Sequence, residues 1–152
     1  MSDFSRDKTE RLLILLEQET GLFGKIGELT QEQTELLETD DIVGFDHSLD
    51  NRQELIIKIN GLHQESDILM QSYITHTTTG GGNKRDEVEA AIKRLRDAIS
   101  QCVKLDDENV FRAKEKAGDY VKQINKLNQS RKSIGAYVQE IPNNPEHFDR
   151  KT

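Results

Sequence analysis

Tryptophan is missing from this 152-residue chain, cysteine occurs once, and both prolines, Pro142 and Pro145, stand at the very end. A single cysteine, Cys102, builds no disulfide framework, which points to a reducing cytoplasm. No apolar run approaches the ~20 residues needed to span a bilayer. The longest is "LLILL" at 12–16, and "MSDFSRDKTE" at the start offers no apolar stretch for a targeting signal. A cytoplasmic home is therefore expected, and "NQS" at 128–130 is read as a chance match to a glycosylation acceptor. Hydrophobic residues make up 34 % and aromatics 5 %, against roughly 45–50 % apolar in ordinary globular domains. That is too little for a thick core, but it suits long helices that each bury one narrow stripe. The apolar residues are regularly spaced, which argues against disorder.

What is present is helical periodicity. A first helix is expected over about 4–38, with Leu12, Leu15, Leu22, Ile26, Leu29 and Leu36 at three-four spacing and Glu19 and Gln33 as polar intrusions. "ETDD" at 38–41 breaks the pattern, and Asp40 or Asp41 can cap a second helix over about 41–74. Its seam runs Ile42, Phe45, Leu49, Ile56, Ile59, His63, Met70, and so short a connection makes the two helices antiparallel. "THTTTGGGN" at 75–83 is a loop, Asn83 can cap a third helix, and Asp86 and Glu87 suit its first turn. From Val88 the third seam continues through Ile92, Leu95, Ile99, Cys102, Leu105, Asn109, Ala113, Ala117, Tyr120, Ile124, Leu127, Arg131, Ile134, Val138 and Ile141, until Pro142 stops it.

The expected fold is thus all-α: one helical domain over 1–141, made of a hairpin and a longer third helix over about 84–141, with coiled-coil-like packing. Residues 142–152 are expected to form a flexible tail. At ~1.5 Å per residue the first two helices span roughly 50 Å and the third roughly 85 Å. Laid antiparallel to the second helix, the third would run past the 39–41 turn near Gly118, leaving the stripe of about 119–141 nothing in its own chain to cover it.

Chemistry-bearing constellations are sparse. The four histidines are scattered, His63 and Asp67 at i, i+4 are two ligands and not a site, and Cys102 lies on a seam where a buried thiol is inert. "TGGGNK" at 79–84 lacks the strand and spacing of a phosphate loop. No enzyme activity, cofactor or metal is expected. Residues 1–70 carry a charge balance of −10 and 71–152 one of +3, with seven basic and two acidic residues within 112–132. Only Tyr120 could stack a base there, so the basic stretch reads as the complement of the acidic hairpin and not as a nucleic-acid surface. Glu28, Glu32, Glu35 and Glu38 read as a solvated face. Gly21, Gly24 and Gly27 in "GLFGKIG" mark either tolerated exposed glycines or a close backbone approach.

The leucine-patterned first helix, the acidic turn, "NRQELIIKINGL" at 51–62, "LDDENVFRAKEKAGDYVKQINKL" at 105–127 and "FDRK" at 148–151 together resemble the FlgN family of flagellar export chaperones. FliT, the filament-cap chaperone, is a smaller sibling that stays open as the alternative. The resemblance implies a cytoplasmic, non-ATPase chaperone that holds the hook-associated proteins FlgK and FlgL before type III secretion and hands them to the export apparatus. It implies binding through the end of the last helix, which falls here on Tyr120, Ile124, Leu127, Ile134, Tyr137 and Val138; Ile141 continues the same stripe. A tail motif of Phe148, Asp149 and Arg150, held clear by the two prolines, is the candidate contact for the export apparatus. The rival reading is a structural coiled-coil protein that self-associates through helix three, and a weak homodimer also stays open.

Overall fold

The computed structural model describes residues 6–76 and 84–141, and these form helices and turns only. They comprise α1 (Arg6–Glu38), α2 (Ile42–His76), α3 (Arg85–Glu115), a 3-10 turn (Ala117–Tyr120) and α4 (Val121–Glu140). The all-α expectation holds, but the single long third helix does not. It divides at Lys116–Tyr120, and α4 returns along the bundle. The expected cap Asn83, the loop residues 77–83 and the tail 142–152 lie outside the described residues.

The α1–α2 turn is specified residue by residue. Asp40 adopts φ 56°, the left-handed conformation that ends a helix. Asp41 N–H donates to the Leu36 carbonyl at 2.9 Å and Asp40 N–H to Leu37 at 3.2 Å, which satisfies carbonyls that the helix end would otherwise strand. Asp41 then caps α2, its Oδ1 accepting the Gly44 N–H at 2.9 Å. A Cβ at Gly44 would stand 2.6 Å from Asp41 Oδ2, so the cap requires glycine there. α3 begins with Asp86 and Glu87 and ends with Arg112 and Lys114, each pair placed to oppose the helix dipole.

Packing directions follow from which residues meet. Arg11 on α1 binds Glu65 on α2, and Glu19 meets His63, so α1 and α2 run antiparallel. Cys102 Sγ donates to the Phe23 carbonyl at 3.2 Å and Asn109 Nδ2 to the Thr30 carbonyl at 2.9 Å, positions that climb together, so α1 and α3 are parallel neighbours. Arg131 Nε lies 2.7 Å from Asp107 Oδ1, which sets α4 antiparallel to α3. Lys126 reaches Asp46 and Tyr137 reaches Asn60, which sets α4 parallel to α2. α4 therefore lies in the groove between α2 and α3, across the bundle from α1.

The core falls into two apolar halves. Leu12, Phe23, Ile26, Ile56, Ile59, Leu95, Ile99, Ile134 and Tyr137 belong to the larger one, and Leu37, Phe45, Leu49, Val110, Ala113, Tyr120 and Leu127 form the smaller. Between them each helix turns inward a buried polar residue: Thr30 and Gln33 from α1, Arg52 from α2, Asp106 and Asn109 from α3, Ser130 from α4. Arg52 and Asp106, both 0 % exposed, form a two-pronged ion pair across the bundle centre. Asn109 joins α1 to α3 through Thr30 and through Thr34, whose Oγ1 donates to it at 2.7 Å. A buried polar layer of this kind fixes helix register, because sliding by one turn would strand its members in apolar surroundings.

Candidate functional site: the groove that holds the last helix

α4 presents one stripe to the groove. Tyr120, Leu127, Ile134, Tyr137 and Ile141 are buried, with Leu127 and Ile134 at 0 % exposure, and Ile124 is half-buried. Each fully buried aliphatic of this kind contributes ~1.5–3 kcal/mol of apolar transfer. The expectation that this stripe overhangs uncovered is corrected by the structure: the turn at 117–120 brings it back onto the chain's own α2 and α3. Of the residues assigned to a partner, the side chain of Val138 and the tail residues Phe148, Asp149 and Arg150 lie outside the described part.

Two tyrosines pin the stripe near its ends through three ring contacts. Tyr120 meets Phe45 edge to face at 6.1 Å. Tyr137 is wedged between Phe23 at 5.7 Å and the His63 ring at 4.8 Å, with its hydroxyl against Asn60. His63, expected as a seam residue, is in the seam and places Nδ1 3.0 Å from Glu19 Oε1. Glu19, read as a polar intrusion, is 1 % exposed.

Ion pairs line the outer edge. Lys126 Nζ stands 2.8 Å from Asp46 Oδ1 and 3.7 Å from Asp50, while Lys116 Nζ stands 2.8 Å from Asp40. The basic stretch thus complements the acidic hairpin within one chain. The hydrogen bond from Lys126 holds the Asp46 carboxyl below its ordinary value, and Asp46 in turn raises Lys126. Deeper in, burial raises the Asp106 carboxyl despite the opposing Arg52, and burial pushes the Cys102 thiol up to about 11.

The underside of α4 is less well satisfied than its edge. Gln123 Oε1 and Ser130 Oγ on α4 and Arg52 Nε on α2 find no hydrogen-bond partner among the described residues, and neither do Glu19 Oε2 and both amide atoms of Gln33 elsewhere in the core, on α1. Each such buried atom carries a desolvation penalty of ~1–3 kcal/mol when unpaired. In the sequence Glu19 and Gln33 stand out only as polar intrusions and Asn109 as a member of the third seam, while Arg52 and Asp106 draw no notice. The signal was there, since Arg52 and Asp106 occupy buried helical positions beside apolar seams, but charge at such positions reads first as surface.

The candidate metal pair His63 and Asp67 gains no third ligand, and no group of three or more His, Cys, Asp or Glu among the described residues could hold a metal. No helix among them is long and apolar enough to cross a membrane. Gly21 and Gly24 are exposed, Gly27 is half-buried, and none has anything within 4 Å of an added Cβ, so the close-approach reading is set aside in favour of tolerated glycine.

The fold and the groove define a four-helix protein in which α4 packs on α2 and α3, opposite α1. The chain matches, over residues 1–141, the family model described as FlgN protein, and it belongs to that family of flagellar export chaperones. No curated protein and no solved structure matches it.

Proposed function

We propose that this chain is a cytoplasmic type III export chaperone that binds hook–filament junction proteins of the FlgK and FlgL kind, and that α4 is the element they engage. Family membership supports the chaperone class. The observation that supports the binding reading is that α4 packs on α2 and α3 through one apolar stripe, over a groove where Arg52 Nε, Gln123 Oε1 and Ser130 Oγ find no hydrogen-bond partner among the described residues. A client helix would take over the stripe of Tyr120, Ile124, Leu127, Ile134, Tyr137, Val138 and Ile141 once α4 has swung out of the α2–α3 groove. Undocking reduces apparent affinity by the fraction of molecules in which α4 is free. The tail residues Phe148, Asp149 and Arg150 would then face the export apparatus while the client stays bound.

A reversible lock tests the binding reading. Gln53 and Ser133 line one surface groove between α2 and α4 and are exposed. In the doubly substituted protein Gln53→Cys/Ser133→Cys, a short cleavable bis-maleimide would fasten α4 to α2. The locked monomer should bind FlgK or FlgL at least about tenfold more weakly than the unlinked one, a loss of ~1.4 kcal/mol or more, and cleavage should restore binding. Undiminished binding by the locked protein would remove α4 from the client site. Deleting 143–152 should leave client affinity intact and lower client secretion from cells.

A further inference from the structure

Among the described residues the chain reverses direction twice, and the two reversals are built differently. The α1–α2 turn is locked by Asp40 at φ 56° and by the Asp41 cap. The α3–α4 reversal contains no positive-φ residue. Lys116 sits at φ −84°, ψ −5°, Tyr120 at −108°, 7° and Val121 at −55°, −47°, all within or beside the right-handed helical region. Changes of a few tens of degrees in ψ would convert the 3-10 turn into α-helix.

The buried positions add a second observation. From Cys102 on they are Asp106, Asn109, Val110 and Ala113 on α3, Tyr120 in the 3-10 turn, Gln123, Leu127, Ser130, Ile134 and Tyr137 on α4, and Ile141 just past its end. Ala113 and Tyr120 are one heptad apart, so the stripe crosses the hinge in phase. A loop that only reverses direction imposes no such phase, whereas a helix running straight through 85–141 requires it. Gly118, the one hinge glycine, meets nothing within 4 Å of an added Cβ, so no steric demand in the bent form explains the helical phase.

We propose that the groove between α2 and α3 also accepts α4 from a second copy of this chain, giving a domain-swapped dimer in which α3 and α4 form one continuous helix. That helix would measure roughly 85 Å at ~1.5 Å per residue. Two such helices would lie antiparallel side by side about a two-fold axis. Every contact α4 makes with the base in the monomer re-forms between chains: Lys126 with Asp46, Arg131 with Asp107, Tyr137 with Asn60, Tyr120 with Phe45. Ser130 is again buried at the level of the polar layer, so the register of α4 on the base is kept. Only the hinge differs between the two forms, and the second copy is the occupant because the groove's shape and charge already fit this α4. The inference stands without reference to any client.

The test uses two full-length proteins, one carrying Gln53→Cys and the other Ser133→Cys. They are unfolded together in urea, refolded at millimolar concentration and treated with a bis-maleimide. In the swapped dimer position 53 of one chain faces position 133 of the other, so a covalent 53–133 pair between chains is expected, identified by peptide mass. A four-residue Gly-Ser insertion after Gly118 breaks the continuous helix and lets α4 fold back freely, and should lower the yield of that pair by at least about tenfold. Absence of the interchain pair with the natural hinge would overturn the proposal. So would a yield that the insertion leaves unchanged, because side-by-side association would then be its source.

Discussion

Replacing Arg52 by methionine removes one half of an ion pair that the bundle has withdrawn completely from water. Asp106 then keeps a carboxylate at 0 % exposure with its principal partner gone. Breaking a buried pair in this way costs roughly 3–5 kcal/mol, because the surviving charge is neither solvated nor matched. Against a total stability of about 5–15 kcal/mol, and at about 2–4 °C per kcal/mol for a chain of this size, melting should fall by roughly 6–20 °C. The double replacement Arg52→Met/Asp106→Leu leaves no stranded charge and should melt near the parent or above it, particularly since Arg52 Nε has no hydrogen-bond partner among the described residues to lose. Acid supplies a further check on the sign. Burial already raises the Asp106 carboxyl in the intact protein, and removing Arg52 raises it further, so the folded variant holds a proton that the unfolded chain releases. Its penalty should be full near neutral pH and shrink as pH falls toward about 4. Circular dichroism at 222 nm with heat and urea gives both quantities. Singles that cost under about 1 kcal/mol would mean that water reaches the pair, and a double that costs the sum of the singles would mean that the two groups do not act together.

Asp46→Asn should loosen the edge of α4; because Asp46 is held below its ordinary 3.8, its contribution is present above that value and lost as pH falls through the lowered one. The melting difference between parent and variant should accordingly be visible at neutral pH and vanish in strong acid, and a difference that persists there would place the effect elsewhere. Cys102, buried and shifted to about 11, should react with a thiol reagent only at the rate of unfolding, so labelling faster than global opening would contradict its burial. Gly21→Ala, Gly24→Ala and Gly27→Ala meet no neighbour and should each stabilise by up to ~1 kcal/mol. Gly44→Ala should destabilise instead, through the contact with Asp41, and equal responses at the four glycines would refute the distinction.

Periodicity placed much of the first three seams because each buries a stripe against a neighbour that also carries one, but on α1 Leu22, Leu29 and Leu36 are only half-buried, and Phe23, Thr30 and Leu37, each one position further on, are buried instead. Leu12, Phe45, Ile56, Leu95 and Cys102 all fall where three-four spacing puts them. The turn at Thr39–Asp41 was equally open to reading, since Asp at both positions serves the left-handed stop and the cap. The break at Lys116–Tyr120 was not. It contains no proline, and the stripe passes through it in phase, so a straight helix and a folded one leave the same pattern in the sequence. Stripe and length alone gave an uncovered overhang for Leu127 and Ile134, where the chain reverses and covers them. The polar layer was hidden for another reason. Arg52 and Asp106 lie 54 residues apart, and a charge becomes a core residue only when its complement arrives from another helix.

The order in which α4 meets its groove has a mechanical consequence. From the C-terminal side the contacts come in series: Ile141 beside Met70 and Leu95, Tyr137 on Asn60, Arg131 on Asp107, Lys126 on Asp46, then Tyr120 on Phe45 at the hinge. Tension applied at the carboxyl end loads these one after another, as in opening a zipper, whereas sliding α4 along its axis would strain all of them together. Such a geometry yields at low force in one direction and resists in the other. A pull from the C-terminus would strip α4 from the groove as far as Tyr120 and reach the hinge before it strained the α1–α2–α3 base.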